Sequence, residues 1–188
     1  MKILAIDNYD SFTYNLVQLI GGFGCELYIK RNDEITLEEI KKLNPDKILI
    51  SPGPGKPESA GMSLTVIKEF GKTIPTLGVC LGHQSIGIVF GSEVIKAPYL
   101  MHGKISSIFH DGKTIFSGIP QGFEATRYHS LIIKRETLSS ELEISAETKD
   151  GIIMGVRHKQ YPIEGIQFHP ESFLTIEGKN LIKNWLTK

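Results

Sequence analysis

The chain has 188 residues, 40% of them hydrophobic, a length and content that bury one sizeable core and predict a single domain over 1–188. Its 21 Lys and Arg balance 21 Asp and Glu, so no net field draws it to nucleic acid or an anionic membrane. No apolar run approaches membrane-spanning length and Asp7 comes too early for a secretory leader, so the expectation is a cytoplasmic protein with a small-molecule or protein partner.

Lys2 to Ile6 reads as a strand, and Phe12, Leu16, Leu19, Ile20 and Phe23 then recur at helical spacing up to Gly24. Glu26 to Ile29 is a second strand. Thr36-Leu37-Glu38-Glu39 is a capping box opening a short helix, which Asn44-Pro45 stops before a strand at Lys47 to Ile50. Ser63 to Phe70 is helical with Gly71 as its stop, and Thr76 to Val79 is the next strand. A helix ending near Gly91 follows Cys80. This alternation predicts an α/β fold, an open and mainly parallel sheet with helices on both faces. Beyond Gly91 the texture turns to β-type runs, with Asp111-Gly112 and Asp150-Gly151 suited to tight hairpins. Phe123 to Tyr128, Glu143 to Glu147, Ile152 to Arg157 and Ile163 to Phe168 are the clearest strands, in a sheet expected to be mixed with antiparallel additions, and Glu177 to Leu186 closes as an amphipathic helix.

Gly78-Val79-Cys80-Leu81-Gly82 places a cysteine on a strand-to-helix elbow. Glycines two residues either side let the backbone turn sharply and pack closely, holding the thiol out toward a substrate. The amino terminus of the following helix favours negative charge at the sulfur. Far downstream, His169-Pro170-Glu171 offers a base and a carboxylate two residues apart. Pro170 biases that segment toward extended backbone, so both side chains share one side and Glu171 can orient the ring. His83, one helical turn beyond Cys80, is the rival base and lacks a carboxylate to orient it. Cys25 fits a buried, inert thiol. The two cysteines lack CxxC spacing, and His102, His110, His129 and His158 lack metal-ligand spacing, so neither a disulfide nor a metal site is proposed. Ser51-Pro52-Gly53-Pro54-Gly55-Lys56-Pro57 is a stiff, shaped loop whose Gly53 N–H could meet a developing oxyanion together with the Leu81 N–H, although Gly-Pro runs also build plain turns.

The elbow at Cys80 and His169-Pro170-Glu171, joined by Asp7-Asn8-Tyr9-Asp10-Ser11-Phe12, Ser51-Pro52-Gly53-Pro54-Gly55 and Arg127-Tyr128-His129-Ser130-Leu131, resemble the class I glutamine amidotransferases, in particular the glutaminase subunits that serve anthranilate or para-aminobenzoate synthesis. The likeness runs over essentially the whole chain. It implies a flavodoxin-like core in which Cys80 attacks the carboxamide of L-glutamine, His169 moves protons and Glu171 orients it. Gly53, Pro54, Gly55, Leu81, Gln84, Ser130 and Leu131 would hold the glutamine. Met101-His102-Gly103-Lys104 would belong to a coupling surface. The resemblance further implies a hetero-oligomeric partner, a chorismate-using synthase subunit, with no cofactor in this chain and magnesium in the partner.

Two other readings compete. A cysteine peptidase or deglycase could use the same three groups on the same architecture, because triad chemistry is indifferent to which carbonyl is attacked. A flavodoxin-like module binding a mononucleotide, or serving as a scaffold, would need none of them.

Overall fold

The computed structural model describes residues 1–187. Strands β1 (Lys2–Asp7), β2 (Glu26–Arg31), β3 (Lys47–Ile50) and β4 (Thr76–Val79) alternate with helices α1 (Thr13–Gly21), α2 (Leu37–Leu43), α3 (Ser63–Phe70) and α4 (Leu81–Val89). Then come β5 (Val94–His110), β6 (Phe123–Ile133), β7 (Leu142–Glu147), β8 (Ile153–His158), β9 (Ile163–Ile166) and α5 (Gly178–Thr187). They form one nine-stranded sheet in the order β2-β1-β3-β4-β9-β8-β7-β5-β6. The run from β2 to β9 is parallel, and every pairing from β9 to β6 is antiparallel. The parallel portion has the flavodoxin-like order, with the last-formed strand at its inner edge.

Alternation along the parallel strands separates two apolar layers. Ile3, Ala5, Leu49 and Leu77 face Leu16 and Ile20 of α1 and Leu181, Ile182 and Trp185 of α5. Leu4, Ile6, Ile48 and Ile50 face Ile40 of α2, Val66 and Ile67 of α3, and Ile86 of α4. Both faces of the sheet are thus covered, which is why the strands read as continuous apolar runs. The capping box of α2 is formed, with Thr36 Oγ1 accepting from the Glu39 N–H and the Glu39 carboxylate accepting from the Thr36 N–H. Among the described residues no helix is long and apolar enough to cross a membrane.

The second half departs from expectation in two places. β5 runs 17 residues, much of it exposed, and pairs with β6 through register shifts at Lys96/Met101 and His102/Lys104. Its polar face, Pro98 and Gly103 hide it from a search for apolar alternation. Asp150-Gly151 does turn the β7–β8 hairpin, with Gly151 at φ +81°. Asp111-Gly112 does not make a tight hairpin. Gly112 at φ +74° instead opens a longer connection from β5 to β6, which contains the helical turn Thr114–Phe116.

Candidate active site

The carboxyl ends of β1, β3, β4 and β9 converge on one place, where open α/β sheets present their sites. Cys80 caps α4 in an unusual backbone conformation, φ 53° and ψ −100°. The flanking glycines have negative φ, so the sharp turn rests on the cysteine itself. What the glycines supply is proximity. A Cβ at Gly78 would lie 2.5 Å from the Gly82 backbone, and one at Gly82 would lie 2.4 Å from Ile50 O. The helix can seat against the sheet only without those side chains. Cys80 is 6% exposed, so its sulfur lies at the floor of the site rather than held out in solvent.

The parallel pairing of β4 with β9 matches Val79 to Ile166, and the Cys80 N–H extends it to Ile166 O at 2.8 Å. The next residues of that strand therefore pass the elbow at Cys80. The Gln167 amide nitrogen donates to Cys80 Sγ at 3.5 Å across a separation of 87 residues. His169 is held by its own N–H to Thr126 O at 3.0 Å and by the Thr175 hydroxyl donating to its carbonyl at 2.8 Å. Its Nδ1 meets Glu171 Oε1 at 2.6 Å, and the two side chains are 3% and 1% exposed. Burial works to lower the His169 pKa, but polar interactions with Cys80 and Glu171 outweigh it and push it up to about 10. Tyr128 and Phe12 stack at 5.2 Å, and both present edges to the His169 ring, at 5.3 and 5.9 Å.

His83 is different. It is fully buried, neither ring nitrogen has a hydrogen-bond partner, and burial lowers its pKa to about 4. It is a neutral packing residue against Gly165, where a Cβ would meet its Nδ1 at 3.0 Å. Burial and the lowered pKa argue against its taking up a proton at neutral pH. His129 and His158 are buried as well, whereas His102 is exposed.

Of the residues expected around a substrate, Gly53 packs where a Cβ would strike Asn8 Cβ at 2.5 Å and Leu81 Cδ2 at 2.6 Å, so its loop lies directly against the elbow. Asn8 anchors that loop. Its N–H donates to Ser51 Oγ and its side-chain amide to Ser51 O, both at 2.9 Å. Pro54 and Gly55 are exposed, and Gly55 adopts φ +80°. The Gln84 amide nitrogen donates to Leu131 O and to Gln167 Oε1, each at 3.0 Å, which ties β6 to the elbow. Ser130, beside Leu131, is exposed. Met101 and His102 pair with His129 and Tyr128 across β5–β6, which places the 101–104 segment alongside the site. Gln167, Tyr128, Phe12 and Asn8 carry geometry that motif reading did not assign. For Gln167 a signal existed, because it stands two residues before His169 on an extended segment and so shares its side.

Residues 4–188 match the family model described as glutamine amidotransferase class-I. The chain is 59% identical over 184 residues to the aminodeoxychorismate/anthranilate synthase component 2 of Bacillus subtilis, covering 98% of this chain and 95% of that protein. It is 58% identical over 185 residues to the anthranilate synthase component 2 of Cyanophora paradoxa, covering 98% and 97%. A crystal structure of a protein from Thermoplasma acidophilum superposes with a TM-score of 0.88 at 26% identity, over 100% of this chain and 92% of that one.

Proposed function

The chain belongs to the class-I glutamine amidotransferases, and from that premise we propose that it is the glutaminase subunit of an anthranilate synthase, with Cys80, His169 and Glu171 as its catalytic residues. The observation that supports the assignment of roles is the 2.6 Å contact of His169 Nδ1 with Glu171 Oε1, which leaves buried Nε2 without a hydrogen-bond partner of its own, on the segment that the β4–β9 pairing carries past Cys80.

In the reaction, sulfur of Cys80 bonds to the carboxamide carbon of L-glutamine. The carbonyl electrons move to oxygen, which the Gly53 and Leu81 amides receive. As the C–N bond breaks, the His169 imidazolium gives its proton to the leaving amine, and ammonia departs from a glutamyl thioester. Neutral His169 then takes a proton from water, hydroxide attacks the thioester, and glutamate leaves with the thiolate restored. Glu171 holds Nδ1 throughout, so that Nε2 is the nitrogen that exchanges protons. Gly53, Pro54, Gly55, Gln84, Ser130 and Leu131 hold the glutamine. Both protons of the Gln84 amide nitrogen are engaged, so its oxygen is the atom left to accept from substrate. No cofactor enters these steps.

Ammonia in water is diluted and mostly protonated near neutral pH, so an acceptor site must adjoin this one. We assign that site to a chorismate-using synthase subunit, to which magnesium also belongs. The name of the Cyanophora paradoxa relative supports anthranilate as the product, and the double name of the Bacillus subtilis relative makes the partner chain the determinant. The test is reconstitution with the synthase subunit of the same source, supplied with chorismate and either glutamine or ammonia. Cys80→Ala and His169→Ala should each cut glutamine-dependent synthesis by at least about a thousandfold while leaving ammonia-dependent synthesis intact. Glu171→Ala should cost less, since it orients rather than reacts. An aminodeoxychorismate product would move the assignment to the para-aminobenzoate branch. Retained glutaminase activity in His169→Ala would remove His169 from its role.

A further inference from the structure

No role in the reaction has been given to Gln167, yet its side chain stands against the sulfur. It is fully buried, its N–H is tied to Met154 O at 2.9 Å, and its side-chain amide bonds Gln84 and Cys80. The direction in which that amide points follows from its neighbours. Leu131 O is a main-chain carbonyl and can only accept, so the Gln84 group facing it at 3.0 Å must be the nitrogen. That nitrogen spends its second proton on Gln167, also at 3.0 Å, so the Gln167 atom facing it is the oxygen. The remaining Gln167 group, 3.5 Å from Cys80 Sγ, is then the amide donor. Behind Leu131 the chain of bonds continues with the same sense. His129 Nδ1–H meets Leu131 O at 3.0 Å, and the other nitrogen of that ring accepts from Arg127 Nε at 3.0 Å. His129 must be neutral to do both. Burial, followed by the Arg127 charge, lowers its pKa to about 3.

We propose that Gln167 is a positioning residue for the nucleophile: its amide donates a hydrogen bond to Cys80 Sγ, and Gln84 and Leu131 lock the donor toward sulfur. This rests on Cys80 being the nucleophile. An N–H aimed at sulfur favours the anion over the thiol and holds it at the angle from which the carboxamide is attacked. It also couples the nucleophile to β6, where Ser130 and Leu131 meet the substrate, so displacement of Leu131 would be felt at Cys80.

The test uses the full chain carrying Cys25→Ser, because half-buried Cys25 is the other free thiol. The rate of Cys80 alkylation by iodoacetamide is followed against pH for the parent, Gln167→Met and Gln167→Glu, with folding checked by circular dichroism. Met matches the length but donates nothing, and Glu replaces the donor by an acceptor. Both variants should move the half-reaction point upward, by about one pH unit for Met and more for Glu. With the synthase subunit, Gln167→Met should lower glutaminase kcat about 10- to 100-fold, a larger change than the rise in KM that follows when Gln84 loses its acceptor on Gln167. An alkylation profile that stays put in both folded variants would overturn the proposal and reduce Gln167 to packing. Cys80→Ser tests the underlying reading separately: retained glutaminase activity there would unseat Cys80 as nucleophile, whatever the Gln167 variants do.

Discussion

Cys80 holds a backbone conformation that L-residues avoid, φ 53°, at a cost of about 1–3 kcal/mol. The surrounding contacts maintain it: its N–H is bound to Ile166 O and its carbonyl accepts from the Gln84 N–H at 3.0 Å. The two histidines near it illustrate how environment divides one residue type into two functions. His169, paired with Glu171, has its pKa raised to about 10, so its contribution to stability is full below the unfolded value near 6.5 and is lost as pH rises through 10. His83, buried without a partner and lowered to about 4, has the opposite sign. Below pH 6.5 the unfolded chain takes up a proton that the folded chain refuses, so stability falls between pH 6.5 and 4. At pH 5 that loss amounts to about 2 kcal/mol relative to pH 7. His83→Leu should therefore flatten the acid side of the stability curve, as read by urea unfolding at pH 7 and pH 5; an unchanged difference between the two would mean that His83 is not the neutral buried group described.

At the scale of the element, the elbow works because α4 approaches the sheet more closely than side chains allow. Gly78 and Gly82 face each other, and Gly82 also faces Ile50 O. Gly82→Ala puts a methyl 2.4 Å from that carbonyl, where neither the β3 backbone nor the helix can yield cheaply. It should cost about 1–3 kcal/mol and displace Leu81 and Gln84, so activity falls further than stability. Thermal unfolding and glutaminase assays on the same preparation would show this, and a variant with normal stability and normal activity would contradict the packing argument. The existence and order of the strand-helix units through α4 were legible in sequence because each is bounded by a local signal: the Thr36 box, Asn44-Pro45, Gly71 and Gly91. β5 was not, since its support comes from β6 rather than from its own alternation.

At the scale of the molecule, Arg157 fastens the antiparallel half to the parallel half. Its side chain is 10% exposed and bonds Asp111 and Glu143, each at 2.7 Å, and Glu164 at 3.3 Å, so β8, β7, β9 and the connection after β5 share one cation. Those partners raise its pKa against the effect of burial. Arg157→Met would leave these carboxylates facing one another and should cost about 3 kcal/mol. Because β9 carries the residues that lead to His169, the loss should also appear as weaker coupling between Cys80 and His169. Chemical denaturation and the pH profile of Cys80 alkylation would measure the two effects. A destabilisation under about 0.5 kcal/mol would place Arg157 among ordinary surface charges.

The amino-acid sequence by itself determined the alternating units, the elbow and the His-Pro-Glu segment, because each depends on neighbours within a few residues: glycine spacing, caps, and the extended bias before proline. Sequence favoured His169 over the nearer His83 because only His169 has a carboxylate two residues away, but it could not show how the distant segment returns to Cys80. Tertiary structure supplied that return by inserting β9 next to β4, a pairing between strands distant in the chain whose register leads Gln167 and then His169 past Cys80. The same insertion buried His83 under Gly165 and took away its charge. Local rules set what each segment becomes, and only the hydrogen-bonded neighbour of a strand sets what its next residues meet.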